Sequence, residues 1–352
     1  MATSIDPPVE PRDDIRESPF AYENPEFLNS PDGRLFRIMA EYQEPMARFR
    51  RERIQDTVVF FGSARFRALD VATSDLELLE NTGSAQPAPQ QEQPARPGER
   101  ETGDVSARKL RLAEAAVDMA AYYEDARRLA GLLARWSKSL PGRRHRFVVT
   151  SGGGPGIMEA ANRGASEAGC KSIGLNIRLP FEQQPNPYIT PELSFTFHYF
   201  FMRKFWFAYL AKALVVFPGG FGTLDEMFEL LTLAQTHKLA KKITVVIYGS
   251  AYWKSVINLE AMAERGAIAT KDLDLFRFAD TPEEAFEMLK QGLTEDHLHA
   301  AQPLHLQAAS EMHATEAHAS EKNAAAPDGS SVPSYPAPSA QEILGPDIAR
   351  TR

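Results

Sequence analysis

The chain has 352 residues, of which 24% are charged and 43% are hydrophobic, and its formal net charge is −8. This composition is typical of a soluble globular protein. The net negative charge argues against non-specific electrostatic binding to DNA or RNA, because such binding needs clustered cations. The single cysteine, Cys170, excludes an internal disulfide and a thiolate zinc cluster.

The first residues carry no targeting signal that we recognise. Met1 to Pro11 is acidic and proline-rich, without a basic stretch followed by an apolar one, so no signal peptide is expected. No uninterrupted apolar run approaches the roughly 20 residues that a membrane helix requires. We therefore predict a cytoplasmic protein that does not contact a membrane.

Composition divides the chain into a core and two tails. Residues 1–33 are rich in proline and charge and predict a disordered arm. Residues 34–295 predict a single domain that opens with a helix over Arg34–Ile54. A low-complexity insertion at about 70–106 contains too little apolar surface to fold. The Ala-, His- and Pro-rich residues 296–352 predict a disordered tail, whose histidines match no metal-ligand spacing.

Short apolar runs alternate with amphipathic segments through the core. The predicted strands are Thr57–Phe61, Phe147–Thr150, Lys171–Leu175, Leu193–Phe197, Ala213–Phe217, Ile243–Tyr248 and Phe276–Ala279. The predicted helices are Ala107–Leu140, Pro155–Ala168, Phe200–Leu210, Leu224–Gln235, Tyr252–Glu264 and Pro282–Gln291. This alternation predicts an α/β fold: a Rossmann-like, doubly wound, mostly parallel sheet flanked by helices on both faces. Ligands of such sheets bind beyond the carboxyl ends of the strands.

Three glycine-rich turns follow predicted strands. They are Gly62-Ser63-Ala64-Arg65, Ser151-Gly152-Gly153-Gly154-Pro155-Gly156 and Pro218-Gly219-Gly220-Phe221-Gly222-Thr223. Glycine lets backbone N–H groups approach an anion, and the N-terminus of the following helix favours negative charge. A phosphate is therefore the expected ligand, although a tight turn that binds nothing is the alternative for each turn alone. The spacing matches neither the dinucleotide-binding nor the Walker pattern.

Two segments of the chain together resemble the signature of a known family. Phe200-Phe201-Met202-Arg203-Lys204, followed by Pro218-Gly219-Gly220-Phe221-Gly222-Thr223-Leu224-Asp225-Glu226, is similar to the paired signature of the Lonely Guy (LOG) family. That signature is an Arg-Lys pair and then Pro-Gly-Gly-x-Gly-Thr-x-x-Glu. The resemblance extends over roughly Val58–Leu289, and the run that begins at Gly152 resembles the broader bacterial branch of the family.

The resemblance implies a phosphoribohydrolase. Such enzymes cleave the N-glycosidic bond of AMP or of N6-substituted AMP, the cytokinin nucleotides, and release the free base and ribose 5-phosphate. It also implies a homodimer whose interface lies close to Arg203, and a purine nucleoside monophosphate as the ligand. No cofactor and no metal are implied.

The family's functional residues carry over position by position. Arg203 and Glu226 match the catalytic arginine and glutamate. The substrate-binding residues implied by the family signature and the glycine-rich turns are Lys204, Gly219, Gly220, Gly222, Thr223, Gly62, Ser63, Gly153, Gly154 and Glu182. The chain departs from the family at Phe201, where members often have histidine, and this departure argues against a specific preference for cytokinin nucleotides.

The chemistry also follows from the residue types. Cleavage of an N-glycosidic bond develops positive charge on the ribose, which a carboxylate such as Glu226 stabilises while it orients water. Glu226 is predicted in the first turn of its helix, where the helix dipole favours the ionised form. Arg203 can orient that carboxylate or hold a phosphate in a fork geometry.

Three other functions stay open on the sequence. A nucleotide carrier or sensor would bind the same ligand without cleaving it, but this chain keeps both the arginine and the carboxylate. A pyridoxal-phosphate decarboxylase is disfavoured, because Gln235-Thr236-His237-Lys238 lacks the serine of the usual Ser-x-His-Lys run and falls at a predicted helix C-terminus. The insertion and the tails would suit a protein that recruits partners, although nothing in their sequence identifies a partner.

Overall fold

The computed structural model describes residues 18–83, 99–179, 184–239 and 241–298. The chain divides into two compact units, with the boundary between Met46 and Ala47. That boundary falls inside a helix and differs from the predicted boundary between residues 33 and 34. The predicted single domain over residues 34–295 stays a prediction.

The first unit contains ordered helical turns. A single 3-10 turn, Ala21–Glu23, precedes the short helix α1 (Pro25–Asn29). The Asn24 side chain accepts the N–H groups of Glu26 and Phe27 and so caps α1. The prediction of a disordered arm is therefore wrong for residues 18–33, because the Asn24 cap stabilises a helix in this segment. Residues 1–17 lie outside the described part of the chain.

The sheet of the second unit has seven strands, all parallel, in the order β4-β3-β2-β1-β5-β6-β7. Their bounds are β1 Thr57–Phe61, β2 Val148–Ser151, β3 Ser172–Ile177, β4 Ser194–Phe197, β5 Ala211–Val216, β6 Thr244–Tyr248 and β7 Arg277–Ala279. Every residue of β1, β2 and β6 is buried, as expected for strands covered on both faces. The sheet order reverses between β1 and β5, which is the switch point of a doubly wound sheet.

Helices cover both faces of the sheet. The remaining helices are α2 Arg34–Arg51, α3 Leu69–Gly83, α4 Glu99–Ser139, α5 Ile157–Glu167, α6 Phe200–Leu210, α7 Phe221–Gln235, α8 Ser250–Val256, α9 Leu259–Glu264 and α10 Pro282–Leu293. Helices α4, α5 and α10 share one buried core with alternate residues of β1, β2, β5 and β6. On the other face, the rings of Phe61 and Phe207 meet edge to face at 4.8 Å. The predicted α/β fold class is confirmed.

The largest differences from the predicted helices lie in the predicted insertion and after β6. The predicted insertion at 70–106 is helical on both sides, over α3 and from Glu99 onward, while residues 84–98 lie outside the described part of the chain. Burial of Ala72 stabilises α3 where local composition did not predict a helix. The single helix predicted over Tyr252–Glu264 is two helices, because the Asn258 side chain accepts the Ala261 N–H and starts α9.

The C-terminal tail is described only at its start. A short helical turn, Thr294–Leu298, continues α10, whereas residues 299–352 lie outside the described part. The predicted disordered tail is therefore corrected for residues 296–298 and stays a prediction beyond them. None of the helices in the described ranges combines the length and apolar character needed to cross a membrane.

Candidate active site

A cavity of about 670 Å³ opens beside the carboxyl ends of β1 and β5, where the order of the sheet reverses. Its volume falls within the range of small-molecule sites. Eight of the twelve residues predicted from the sequence line it: Gly62, Ser63, Arg203, Gly219, Gly220, Gly222, Thr223 and Glu226. Residues from distant parts of the sequence therefore meet at the place that the fold class predicts for a ligand.

Backbone hydrogen bonds join the three glycine-rich turns. The Ser63 N–H donates to the Pro218 carbonyl at 3.0 Å, and the Ile157 N–H donates to the Ser63 carbonyl at 3.0 Å. A Cβ on Gly62 would come within 2.6 Å of the Ile157 side chain, so only glycine permits this approach. The turns consequently form one connected floor and not three independent loops.

The third turn presents the N-terminus of α7 to the cavity. No side chain caps this end at Gly220, and the first N–H groups of a helix have no partner within it. A Cβ on Gly220 or Gly222 would meet no atom within 4 Å, so these glycines leave open space in front of the donors. The Tyr252 hydroxyl donates to the Gly219 carbonyl at 2.8 Å and holds the start of the turn. This arrangement suits an anion.

The second turn folds inward and away from the cavity. The Gly153 N–H donates to Ser151 Oγ at 3.0 Å. The buried Asn186 amide donates to the carbonyls of Gly153 at 3.1 Å and Gly154 at 3.0 Å. Gly153 and Gly154, predicted to bind substrate, do not line the cavity, whereas Gly152 does. The Gly153 N–H and the carbonyls of both glycines are already engaged, and nothing near Asn186 in the sequence signals this network.

Arg203 and Glu226 face each other across the cavity wall. Helix α6 carries Arg203 and α7 carries Glu226, and Arg203 Nη2 lies 3.4 Å from Glu226 Oε1. The side chains are 15% and 7% exposed, respectively. Arg203 Nε is buried, and no described residue accepts its hydrogen. The guanidinium therefore keeps a donor for a bound ligand.

Burial controls the ionisation of Glu226. It raises the pKa of this carboxyl to about 7, although the positive charges of Arg203 and Lys204 oppose the shift. The sequence placed Glu226 in the first helical turn and predicted that the dipole would favour its ionised form. That expectation is wrong, because α7 begins at Phe221 and Glu226 lies buried in the second turn. Desolvation outweighs the dipole at this depth.

Two predicted substrate residues lie elsewhere. Lys204 does not line the cavity, and its ammonium pairs with Asp225 at 2.8 Å and with Glu229 at 2.9 Å. Lys204 thus ties α6 to α7 and so supports the mutual placement of Arg203 and Glu226. Glu182 falls outside the described residues.

The cavity wall includes residues that the sequence did not single out as ligand-binding. Arg65 adds a second cation, and Asn176 and Tyr252 add polar groups. Met158, Ile177, Leu179 and Phe200 form an apolar part of the wall. Arg65 belongs to the first glycine-rich turn, which could have drawn attention to it. Asn176 ends a strand and Tyr252 begins a helix, and neither carries a local signal of function.

Pyridoxal phosphate does not fit this cavity. The cofactor requires a lysine for its Schiff base, and no lysine occurs among the described residues that line the cavity. Lys238, the one lysine considered for such a role, follows the end of α7 on the exposed surface. No group of three or more metal-ligating side chains occurs in the described ranges.

Comparison with known proteins shows that part of the chain is similar to one family. A family model described as "Possible lysine decarboxylase" matches residues 158–289. A probable cytokinin riboside 5'-monophosphate phosphoribohydrolase from Arabidopsis thaliana, LOG6, is 25% identical over 144 residues, which are 41% of this chain and 71% of that protein. The matched part of the chain is therefore similar to the LOG family, in agreement with the resemblance of its paired signature.

Two solved structures are also similar. The molybdenum cofactor carrier protein from Chlamydomonas reinhardtii has 23% identity and a TM-score of 0.33, and the match covers 49% of this chain and 88% of that one. The structural-genomics target TM1055 has 19% identity and a TM-score of 0.35, and the match covers 67% of this chain and 99% of the other.

Proposed function

We propose that the protein hydrolyses the N-glycosidic bond of a nucleoside 5'-monophosphate, AMP or N6-substituted AMP, to the free base and ribose 5-phosphate. The observation that carries this proposal is the buried Arg203–Glu226 pair beside the uncapped N-terminus of α7 in one cavity. An anion site and a carboxylate of raised pKa together suit a phosphorylated substrate that reacts through a cationic transition state.

The phosphate is proposed to bind at the start of α7. The backbone N–H groups that follow Gly220 and the hydroxyl of Thr223 supply donors, and the Arg65 guanidinium supplies charge. The open space beside Gly222 allows close approach. Ribose would then extend toward Arg203 and Glu226.

The base is proposed to occupy the apolar part of the cavity. Met158, Leu179 and Phe200 offer surfaces that suit an aromatic ring, and Asn176 offers polar atoms for its edge. This division into an anionic end and an apolar end matches the two ends of a nucleoside monophosphate.

The proposed chemistry uses both forms of Glu226. As the bond between C1' and the base nitrogen breaks, its electron pair stays with the base, and the Glu226 carboxylate stabilises the positive ribose. Water adds to C1', Glu226 accepts a proton from that water, and the protonated Glu226 then gives this proton to the base. A pKa of about 7 lets this group accept and release protons near neutral pH. Arg203 orients the carboxylate.

A homodimer is part of the proposal. The outer surface of α7 carries a shallow groove of about 440 Å³ that is lined in part by Leu224, Phe228 and Leu233. At the edge of this groove Phe221 is 93% exposed, and Phe201 on α6 is half exposed. Exposed apolar patches of this kind mark protein interfaces, and the family resemblance implies a dimer at this position.

The test is release of free base from AMP and from N6-isopentenyl-AMP, followed by chromatography. Glu226→Gln should lower the rate at least about 100-fold, since loss of a catalytic acid–base group costs this much or more. Glu264→Gln is the matched control, because Glu264 is an exposed glutamate at the end of α9 and lies outside the cavity lining. It should retain most of the activity.

The other outcomes are equally decisive. If the wild-type protein binds AMP but releases no base from either nucleotide, the protein is a nucleotide carrier or sensor. If both variants lose activity alike, Glu226 has no special role in the reaction.

A further inference from the structure

A second cavity, of about 360 Å³, lies at the opposite edge of the sheet from the candidate active site. Its walls come from the end of α4, from the turn before β2 and from the turn before β3. These are the amino ends of the strands, whereas the candidate active site lies at their carboxyl ends. The two cavities share no lining residue.

The walls of this second cavity are strongly basic. They include Lys138, Arg143, Arg144, His145, Arg146 and Lys171. No described residue of the lining carries a carboxylate. This concentration of cations stands out in a chain whose net charge is −8.

Two carboxylates outside the lining hold parts of the wall in place. Asp56 is almost fully buried and accepts from Arg146 Nη2 at 2.8 Å and from Nε at 2.9 Å. Glu52 accepts from the Lys171 ammonium at 2.9 Å. These contacts fix two cations before any ligand arrives, which lowers the entropy cost of binding.

The positive charges of Lys171 and Arg53 also act on His145. Burial is the main cause that lowers the pKa of this imidazole, these two charges lower it further, and Glu52 opposes the shift. Lys138 lies in the last turn of α4, where a cation ordinarily offsets the helix dipole. Arg143, Arg144 and Arg146 follow in the turn, beyond the end of α4.

We propose that this cavity binds a small anion that carries several phosphate groups. Arginine forks recognise phosphate oxygens in pairs, and the basic side chains of the wall come from three separate segments: the end of α4 and the turns before β2 and β3. The volume lies at the small end of ligand sites and excludes a large polymer from its interior. The site is separate from the proposed hydrolytic site and does not depend on that activity.

The experiment titrates the full chain with tripolyphosphate and, separately, with inorganic phosphate, using calorimetry. The test variant is Lys138→Gln/Arg143→Gln. The control variant, Arg265→Gln/Lys271→Gln, removes the same charge from exposed positions outside the lining. We expect the test variant to lose about tenfold or more in tripolyphosphate affinity and the control to match the wild-type protein. Inorganic phosphate should bind more weakly in all three.

A third variant separates the two cavities. Gly222→Ala narrows the candidate active site, and we expect it to keep full tripolyphosphate affinity. The proposal is overturned if the test variant binds as tightly as the wild type, if both double variants weaken equally, or if Gly222→Ala abolishes binding. Failure of the hydrolysis assay would leave each of these results unaffected.

Discussion

Glu226 is the residue whose environment does most to define the candidate site. Its carboxyl is 7% exposed and lies 3.4 Å from Arg203, yet its pKa is raised because burial outweighs the attraction of that cation. Near pH 7 the protonated and ionised forms are both populated. Such a balance suits a group that exchanges protons during a reaction.

The rate of base release should depend on the ionisation of Glu226. If ionised Glu226 accepts the proton from water, kcat/KM for AMP should rise about tenfold from pH 6 to pH 8 and level off above, because its pKa is about 7. The Glu264→Gln control should follow the same profile as the wild-type protein. Equal kcat/KM values at the two pH values would contradict this assignment.

The raised pKa of Glu226 should also make the stability of the protein depend on pH. The ordinary pKa of this carboxyl is 4.5, and the folded value is about 7. Between these values the unfolded chain loses the proton while the folded protein keeps it, so stability is present below pH 4.5 and is lost as pH rises through 7. From pH 5 to pH 8 the contribution should fall by roughly 2 to 3 kcal/mol.

Urea unfolding of the wild type and of Glu226→Gln at both pH values measures this change. The variant should gain stability relative to the wild type by the same amount as the pH rises, because glutamine does not titrate. A constant difference between the two proteins would show that burial does not shift this group.

The decisive element is α7, whose start forms the proposed phosphate site. Its glycines serve different purposes. A Cβ on Gly219 would overlap the Thr223 side chain, so glycine is needed for the turn itself. Gly222 has open space around it and no positive φ, so the fold tolerates a side chain there.

Gly222→Ala should therefore separate binding from folding. The melting temperature should stay level or rise, since alanine favours helix by up to about 1 kcal/mol. The affinity for AMP should fall roughly tenfold to 100-fold, because the methyl group obstructs charged hydrogen bonds worth about 1.5 to 3 kcal/mol.

Adenosine is the matched ligand for this comparison. It lacks the phosphate, so the variant and the wild type should bind it equally. Equal affinity for AMP as well would remove the start of α7 from the proposed site.

At the scale of elements, the strands were more predictable than the helix ends. The continuous apolar runs of β1 and β6 are buried on both faces, and such runs are visible in sequence. The break between α8 and α9 depends on one side-chain cap at Asn258, and α3 depends on its contact with α4. Neither effect appears in the periodicity of the residues.

At the scale of the whole molecule, the parallel order of the sheet explains why the cavity forms at its place. The chain builds β1 to β4 toward one edge and then returns to lay β5 beside β1. The turns after β1 and β5 consequently diverge at the switch point and leave a crevice. Ser63 and Pro218 meet there although they are far apart in sequence.

The proposed dimer should dissociate when a charge is placed on the outer surface of α7. Phe228→Glu places a charge in the groove on the outer surface of α7 and should convert a dimer to a monomer, as measured by sedimentation velocity. Leu112→Glu is the control, because Leu112 is an exposed apolar residue of α4 outside that groove. It should leave the dimer intact. A wild-type monomer at micromolar concentration would contradict the proposal.

The sequence by itself determined the fold class, the LOG resemblance and the identity of Arg203, Glu226 and the third glycine-rich turn. These features are local, because apolar runs, glycine-rich turns and motif spacing can each be recognised within a short stretch of consecutive residues. Only the tertiary structure decided that Gly153 and Gly154 turn toward Asn186, that Arg65 and Tyr252 join the cavity, and that Glu226 is buried enough to hold a proton. Those outcomes arise from contacts between distant segments and from the desolvation that such contacts impose, which periodicity does not encode.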